Sequence, residues 1–297
     1  MAAPGSSPPP ARDPRAHEAA PDRYAVVGNP VAHSQSPFIH AAFARQTGQA
    51  IVYERVLAPR DGFAAAVRAF ADAGGRGCNV TVPFKFEACA IAPRRSERAA
   101  LAEAANVLRF DAEGWWADNT DGVGLVRDIE HTAGVPLAGR RVLLVGAGGA
   151  AAGVLGPLLQ ARPAALWLVN RSPDRARALA ARHAALAATH GVTMAAGGLD
   201  DAPAGCHVVV NASASSLQGQ ASPVQARVLA PGALAVDLMY GAAAEPFLEW
   251  ARAAGAVARD GLGMLIEQAA ESFFDWRGVR PDTRPVLQAL RARLEAS

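Results

Sequence analysis

Short apolar runs alternate with amphipathic stretches from residue 24 onward. Residues 36–47 and the segment following Asp61 carry apolar side chains at helical spacing, with Ser36 and Asp61 expected as N-caps and Gly48 as the end of the first helix. Three apolar runs around these helices are bounded by turn residues and have the length of β-strands: residues 24–28, 51–57 and 78–82. The pattern predicts alternating strands and helices in the first third of the chain.

The alternation resumes after a predicted hairpin formed by residues 106–110 and 115–117. Helices are expected to begin near Gly149 and Asp174. The strands expected around them are residues 141–145, 166–169, 192–195, 208–210 and 234–236. Such a succession predicts a parallel, doubly wound sheet. Two final helices, near 263–277 and 284–294, have no strands to add and are expected to pack on the first domain.

The polarity pattern also predicts where the domains begin and end. Residues 1–22 are rich in Pro, Ala and Ser and have no periodic apolar face, so a disordered tail is expected there. The first domain is expected to comprise residues 23–121 together with 261–297, and the second residues 122–260. A chain of 297 residues has room for about two ordinary domains.

Charge and cysteine usage exclude several classes of protein. With 29 basic and 27 acidic residues, the chain shows no basic stripe for nucleic acid or for an anionic membrane surface. Cys78, Cys89 and Cys206 lack metal-site spacing, and His33 and His40 are expected to be structural, so no metal site is predicted. No apolar run reaches the roughly 18 to 20 residues that span a bilayer, and no secretory signal is evident. A cytoplasmic protein with a small-molecule ligand is expected.

A glycine-rich turn joins the strand at 141–145 to the helix that follows. Gly146, Gly148 and Ala151 fit the dinucleotide-binding pattern G-x-G-x-x-G/A, in which small residues allow a tight turn and close approach of a pyrophosphate. Backbone N–H groups at the start of the helix would then hold the phosphates. A ligand-free Ala/Gly-rich turn is the alternative interpretation.

The end of the next strand indicates the type of dinucleotide. It reads Asn170-Arg171-Ser172-Pro173-Asp174-Arg175, without the acidic residue at the strand tip that would take the ribose 2′-hydroxyl of NAD. Guanidinium groups present rigid donor forks to phosphate oxygens, so this segment favours NADP. Alternatively, Arg171 and Arg175 are ordinary surface residues at the start of a helix.

Polar residues in the first half of the chain are candidates for substrate chemistry. Ser34 and Ser36 enter a predicted helix N-terminus and can donate to a carboxylate. Lys85 follows a strand and Asp121 lies in a polar loop; together, an ammonium and a carboxylate could move a proton to or from a carbonyl oxygen. Spacing alone does not pair them, because isolated residues of these types are usually a surface lysine and a helix cap.

The chain resembles the shikimate dehydrogenase family from residue 24 onward. The resemblance rests on motifs in the family's order: residues 28–37 (GNPVAHSQSP), 79–85 (NVTVPFK), 118–122 (DNTDG), the Gly146 turn, 170–172 (NRS) and 260–265 (DGLGML). It implies an α/β fold with an N-terminal substrate domain, a Rossmann-type NADP-binding domain and C-terminal helices that return to the first domain.

The resemblance also implies roles for individual residues. Lys85 and Asp121 would form the catalytic pair that serves the NADPH-dependent reduction of 3-dehydroshikimate to shikimate, a step in aromatic amino acid and chorismate biosynthesis. The substrate would be bound by Ser34, Ser36, Asn79, Thr81, Lys85, Asn106, Asp121, Tyr240 and Gln268. The cofactor would contact Gly146, Ala147, Gly148, Gly149, Ala150, Asn170, Arg171, Ser172, Arg175, Met239 and Gly261.

One departure from the family pattern concerns the cofactor. Ala151-Ala152 stands where Ser-Arg is common, which removes one basic contact near the cofactor phosphate. A quinate/shikimate dehydrogenase that uses NAD therefore stays an alternative. A non-catalytic protein that binds shikimate-like acids is a second alternative, which would require a broken Lys85–Asp121 pair. The sequence leaves the oligomeric state open, with a homodimer as one arrangement.

Overall fold

The computed structural model describes residues 20–216 and 219–296, and its strands form two six-stranded sheets. The predicted tail lies outside the described residues up to residue 19, and Asp22 belongs to the first strand rather than to the tail. The strands of the first sheet are β1 Asp22–Gly28, β2 Ile51–Leu57, β3 Gly75–Val80, β4 Arg94–Arg95, β5 Val107–Asp111 and β6 Gly114–Asp118.

The first sheet is mixed, in the order β2-β1-β3-β5-β6-β4. β1 pairs with β2 and β3 in parallel, whereas the predicted hairpin, β5 and β6, adds an antiparallel half. The helices inserted among these strands are α1 Ser36–Thr47, α2 Phe63–Asp72, α3 Lys85–Ile91 and α4 Glu97–Ala102. β3 and β1 end at the same edge of the sheet, so the residues that follow them meet there.

Two predicted helix caps are wrong. Gln35 occupies the N-cap of α1, and Ser36 and Pro37 are already in its first turn. Gly62, not Asp61, occupies the N-cap of α2. Neither N-cap residue forms a side-chain capping hydrogen bond, which leaves the hydroxyl of Ser36 free of that role. The predicted end of α1 is confirmed, because Gly48 adopts a left-handed conformation with φ of 67°.

The second sheet is parallel throughout. Its strands are β7 Arg141–Val145, β8 Ala165–Val169, β9 Thr193–Gly197, β10 Cys206–Asn211, β11 Leu229–Asp237 and β12 Val257–Arg259. The order β9-β8-β7-β10-β11-β12 is that of the doubly wound Rossmann fold, with its switch point between β7 and β10. Its flanking helices are α6 Gly149–Gln160, α7 Pro173–Thr189 and α8 Glu245–Ala253. The predicted fold class is confirmed, although α8 and β12 were not expected.

Three further helices complete the fold. They are α5 Asp121–Arg127, which continues into a π-helical turn at Asp128–Thr132, α9 Leu262–Arg277 and α10 Arg284–Glu295. Ile266 and Phe273 of α9 share a buried cluster with Ile39 and Phe43 of α1 and with Leu290 of α10. The C-terminal helices therefore pack back on the first sheet's side of the molecule, as expected.

Candidate active site

Lys85 and Asp121 form an ion pair at the centre of the candidate site. Lys85 is the first residue of helix α3, and Asp121 is the first residue of helix α5. The backbone of each residue is therefore held by the helix that it begins. The Lys85 Nζ lies 2.5 Å from Asp121 Oδ2, and the two side chains are only 15% and 6% exposed. The structure thus brings together two residues that spacing alone could not pair.

A buried amide network orients the Asp121 carboxylate. The Asn106 side-chain N–H group lies 2.9 Å from Asp121 Oδ1 and 3.0 Å from Gln268 Oε1. Asn106 Oδ1 in turn accepts the backbone N–H of Thr120 at 2.8 Å, and the backbone N–H of Asp121 donates to Asn119 Oδ1 at 3.2 Å. Both oxygens of the carboxylate are therefore engaged, which leaves the Lys85 ammonium as the mobile partner of the pair.

Asn79 lies beside this network and is held on three sides. Its Nδ2 group donates to the backbone oxygen of Asn106 at 3.2 Å and to Ser272 Oγ at 3.0 Å. The hydroxyl of Tyr53 donates to Asn79 Oδ1 at 2.7 Å. Thr81 follows two residues later, where its backbone N–H bonds to Val27 at the end of β1. β1 and β3 thus place Asn79 and Thr81 at one edge of the sheet.

Ser34, Ser36 and Tyr240 meet at the start of α1. The Ser34 hydroxyl donates to Ser36 Oγ at 3.2 Å, and the Arg55 guanidinium donates to the backbone oxygen of Ser34. Tyr240 comes from the loop after β11, yet its hydroxyl lies against the backbone of Gln35. Burial raises the pKa of Tyr240, while that backbone contact and Arg55 act in the opposite direction. Three hydroxyl groups at a helix N-terminus, with a guanidinium beside them, suit a carboxylate.

The glycine turn has the backbone that a dinucleotide requires. Gly146 has φ of 115°, and a Cβ there would lie 2.8 Å from the backbone of Ala212, so only glycine fits. Gly148 is the N-cap of α6, and a Cβ there would have no neighbour within 4 Å, which leaves its backbone open to an approaching phosphate. Ala147, Gly149 and Ala150 continue the turn into α6. The residues present therefore fit a bound pyrophosphate.

The turn also lies next to the ion pair. A Cβ at Gly149 would be 3.4 Å from Lys85 Cβ and 3.8 Å from the Phe86 ring. Because α6 begins at this point, any group held on its N-terminal N–H groups is adjacent to Lys85.

The segment after β8 is open and basic. Arg171, Ser172 and Arg175 carry its donor groups, and the Asn170 side chain bonds to the backbone oxygen of Ser172 at 3.1 Å, which shapes the loop. Asp174 forms an ion pair with Arg177 instead. By contrast, Ala151 and Ala152 are buried in the core of the second sheet and offer no polar group to a cofactor.

Met239 and Gly261 lie together where the chain returns to the first sheet. The Gly261 backbone N–H donates to the Met239 oxygen at 2.8 Å, and a Cβ at Gly261 would lie 2.3 Å from the oxygen of Leu238. Asp237, fully buried, accepts the Met239 backbone N–H at 2.8 Å. Burial raises the pKa of the Asp237 carboxyl, and hydrogen bonds from Ser216, Met239 and Asn211 oppose that shift.

Two glycines let α5 dock closely on α6. A Cβ at Gly122 would lie 2.5 Å from Pro157, and one at Gly153 would lie 2.6 Å from Asn119 Oδ1. Asn119 has no exposed surface and also donates to the backbone oxygen of Ala104 at 2.9 Å. The loop that carries Asp121 is consequently pressed against the helix that begins at the glycine turn.

A network of charged side chains holds Asp118, at the start of the loop that carries Asp121. Arg98 Nε donates to Asp118 Oδ1 at 2.7 Å, and Asp275 of α9 lies next to this pair, 3.9 Å from Arg98 Nη2. Arg98 and Ser96 hold the pKa of Asp118 low despite its burial. Burial and the adjacent Asp118 carboxylate raise the pKa of Asp275 to about 8. Asp275 therefore holds a proton more readily than an ordinary carboxyl, and that proton reduces its repulsion with the Asp118 carboxylate.

The sequence pattern did not indicate Tyr53, Thr120 or Ser272 as members of the polar cluster. Ser272 lies 193 residues from its partner Asn79, and local sequence spacing cannot predict a contact over that separation. For Thr120, the only indication in the sequence was its place within the DNTDG segment. A separate surface pocket, lined in part by Arg140, His207 and Arg259, lies at the opposite edge of the second sheet and includes none of the predicted site residues.

A Rossmann-type sheet whose glycine turn adjoins a buried Lys–Asp pair defines a dinucleotide-dependent oxidoreductase. Models of known protein families match three segments of the chain. The shikimate dehydrogenase substrate binding domain matches residues 26–108, shikimate / quinate 5-dehydrogenase matches residues 129–218, and the shikimate 5′-dehydrogenase C-terminal domain matches residues 261–291.

Known proteins of this family are similar over nearly the whole chain. Shikimate dehydrogenase (NADP(+)) of Methylibium petroleiphilum is 66% identical over 289 residues, covering 95% of this chain and 98% of that protein. The enzyme of the same name from Acidovorax sp. strain JS42 is 62% identical over 278 residues, covering 94% and 99%. The shikimate 5-dehydrogenase of Thermus thermophilus, solved with NADP(H) and shikimate, is 32% identical with a TM-score of 0.78, covering 91% and 99%.

This chain belongs to the shikimate dehydrogenase family. It is an oxidoreductase, and its cofactor is NADP. Within the described residues, no helix combines the length and the apolar character needed to cross a bilayer.

Proposed function

We propose that the chain catalyses the reversible NADPH-dependent reduction of 3-dehydroshikimate to shikimate, a step in aromatic amino acid and chorismate biosynthesis. The observation that carries this proposal is the position of the Lys85–Asp121 pair, 2.5 Å apart and directly beside the start of α6. This position supports a role for Lys85 as proton donor to a substrate carbonyl beside a bound nicotinamide.

The chain's own residues would supply proton transfer and charge stabilisation. NADPH, when bound, supplies the hydride. Lys85 Nζ would donate its proton to the ketone oxygen and stabilise the negative charge that develops there, a contribution of typically ~10²–10⁴-fold in rate. Asp121, fixed by Asn106, would hold the ammonium in position.

The remaining candidate residues divide into two groups. We assign the substrate carboxylate to Ser34, Ser36 and Tyr240, and the ring hydroxyls to a set supported by the buried amide network: Asn79, Thr81, Asn106, Asp121 and Gln268. On the cofactor side, the turn from Gly146 to Ala150 would hold the pyrophosphate. Asn170, Arg171, Ser172 and Arg175 would hold the 2′-phosphate, and Met239 and Gly261 would lie against the nicotinamide end.

Replacement of Lys85 tests the catalytic assignment. Lys85→Ala is expected to lower kcat by about 10²–10⁴-fold with NADP⁺ and shikimate, while the Kd for NADP⁺ stays nearly unchanged. Lys85→Arg is the control, because it keeps the cation but holds a proton that is not transferred near neutral pH. Wild-type turnover by Lys85→Ala would refute the mechanism.

Steady-state kinetics with shikimate and quinate, each with NADP⁺ and NAD⁺, tests the proposed substrate and cofactor against the alternatives. We expect the highest kcat/KM with shikimate and NADP⁺. Preference for quinate and NAD⁺ would favour the first alternative, and shikimate binding without turnover would favour the non-catalytic one. The relatives' names specify NADP(+) and lend neither alternative support.

Three further predictions concern organisation and location. We propose a substrate-binding and catalytic domain of residues 23–121 with 261–297, and an NADP-binding domain of residues 122–260; the placement of β1–β6 and β7–β12 in separate sheets supports this division. A homodimer and a cytoplasmic location also stay predictions. Light scattering of the purified protein and cell fractionation test them.

A further inference from the structure

The hydroxyl of Tyr53 lies between the two substrate subsites proposed above. It donates to Asn79 Oδ1 at 2.7 Å on the side assigned to the ring hydroxyls. On the other side it lies against the Ser36 hydroxyl, a contact that partly offsets the rise in the Tyr53 pKa caused by burial. The Tyr53 hydroxyl therefore contacts one residue of each subsite, and the family motifs do not include Tyr53.

The hydrogen bonds of Asn79 leave it one way to bind a ligand. Both hydrogens of its amide group are used, one toward the Asn106 backbone oxygen and one toward Ser272 Oγ. Its Oδ1 has two lone pairs, and the Tyr53 hydroxyl occupies one of them. The remaining lone pair can only accept a hydrogen bond. A ligand group at Asn79 must therefore be a donor, such as a hydroxyl, and a ketone oxygen would find no partner there.

The ring of Tyr53 is itself held in place. It stacks on His40 with centroids 4.2 Å apart and planes within 5°. His40 is fully buried and lies beside the Asn79 side chain, although neither ring nitrogen has a hydrogen bond of good geometry within the described residues. Burial lowers the pKa of His40 to about 3, so it stays a neutral, flat surface at physiological pH. Tyr53 cannot leave this position without losing the stack.

We propose that Tyr53 is a positioning residue for the substrate: it fixes the Asn79 amide so that Oδ1 faces the ligand and selects a hydroxyl at that position. This inference rests on the proposed function and adds a specificity role to a side chain outside the proposed catalytic pair.

Tyr53→Phe tests the proposal, because it removes the hydroxyl and keeps the ring stacked on His40. Loss of one neutral hydrogen bond predicts a KM and a Kd for shikimate raised about 3- to 10-fold, with kcat within about 2-fold of the wild type. The Kd for NADP⁺ and the Tm should not change. Tyr24→Phe is the matched control, since Tyr24 is a buried tyrosine of the same sheet whose hydroxyl contacts Arg277 instead.

A double-mutant cycle tests whether Tyr53 acts through Asn79. In the Asn79→Ala background, Tyr53→Phe should raise the Kd for shikimate, measured by calorimetry, no further. An unchanged shikimate Kd in Tyr53→Phe, or equal effects with and without Asn79, would overturn the proposal. Absence of shikimate turnover in the wild type would instead refute the proposed function, so the two failures are distinguishable.

Discussion

Gly153 of α6 offers a test of how the Asp121 loop is positioned. A methyl group at Gly153 would lie 2.6 Å from Asn119 Oδ1 and 2.7 Å from its Nδ2. Asn119 has no exposed surface and is fixed by Ala104 and Asp121, so it has no free space into which to move. Gly153→Ala must therefore displace either Asn119 or the helix.

Gly156, one turn along the same helix, is the matched control. A Cβ there would meet Leu101 at 3.7 Å, an ordinary contact. Both substitutions gain about 0.8–1 kcal/mol of helix propensity. Only Gly153→Ala adds an overpacking cost of about 1–3 kcal/mol. The two variants should thus differ by about 1–3 kcal/mol in the free energy of unfolding, with Gly156→Ala more stable than the wild type.

The activities of the two variants should also diverge. Displacement of Asn119 removes the acceptor for the Asp121 backbone N–H, and a shift of about 1 Å at a reacting group can cost on the order of 10²-fold in rate. We expect Gly153→Ala to lower kcat/KM for shikimate about 10- to 100-fold, whereas Gly156→Ala leaves it unchanged. Urea unfolding and steady-state kinetics measure both quantities. Equal urea midpoints and equal kcat/KM in the two variants would refute this account of the close contact.

Two further predictions concern the cofactor phosphate and the buried carboxyl pair. Arg171→Ala should raise the Kd for NADP⁺ about 10-fold and leave that for NAD⁺ unchanged, whereas Arg177→Ala, whose guanidinium pairs with Asp174, should alter neither in a fluorescence titration. The pKa of Asp275, about 8 in the fold against 3.8 unfolded, means that the native state holds an extra proton, so this group's contribution to stability is lost as pH rises from about 4 to 8. Asp275→Asn should flatten that slope and raise stability at pH 8 by on the order of 1 kcal/mol in urea unfolding, and a slope identical to that of the wild type would contradict the raised pKa of Asp275.

The sequence predicted five of the six strands of the second sheet, and four of these, β7, β8, β10 and β11, contain an uninterrupted apolar run. The strand at 141–145 and its glycine turn coincide with β7 and the start of α6. The short β4 and β12 were not predicted, since two or three residues carry too little periodicity to distinguish them from loop. The predicted N-caps failed for a related reason: Gln35 and Gly62 enter their helices without side-chain caps, and a turn of that kind has no composition signal.

The candidate site was less predictable than the fold. Family motifs pointed to Asn79 and Asn106. Each of their amide groups, however, hydrogen-bonds to a side chain from a helix more than 150 residues away. Asn106 meets Gln268 across 162 positions, and Asn79 meets Ser272 across 193. Tyr53 was missed because a tyrosine in an amphipathic strand is equally consistent with ordinary packing. Contacts of this length are set by how α9 returns to the first sheet.

The ion pair at the centre of the site has a practical chemical consequence. Lys85 is the only lysine in the 297-residue sequence, whose other basic side chains, apart from histidine, are arginines. An amine-selective acylating reagent can therefore label one side chain, in addition to the N-terminal amine. The Lys85 side chain is 15% exposed and paired with Asp121, so the labelling rate measures how tightly the pair is closed and how fully a ligand covers it. A single mass increment on one peptide would report occupancy of the site without any measurement of turnover.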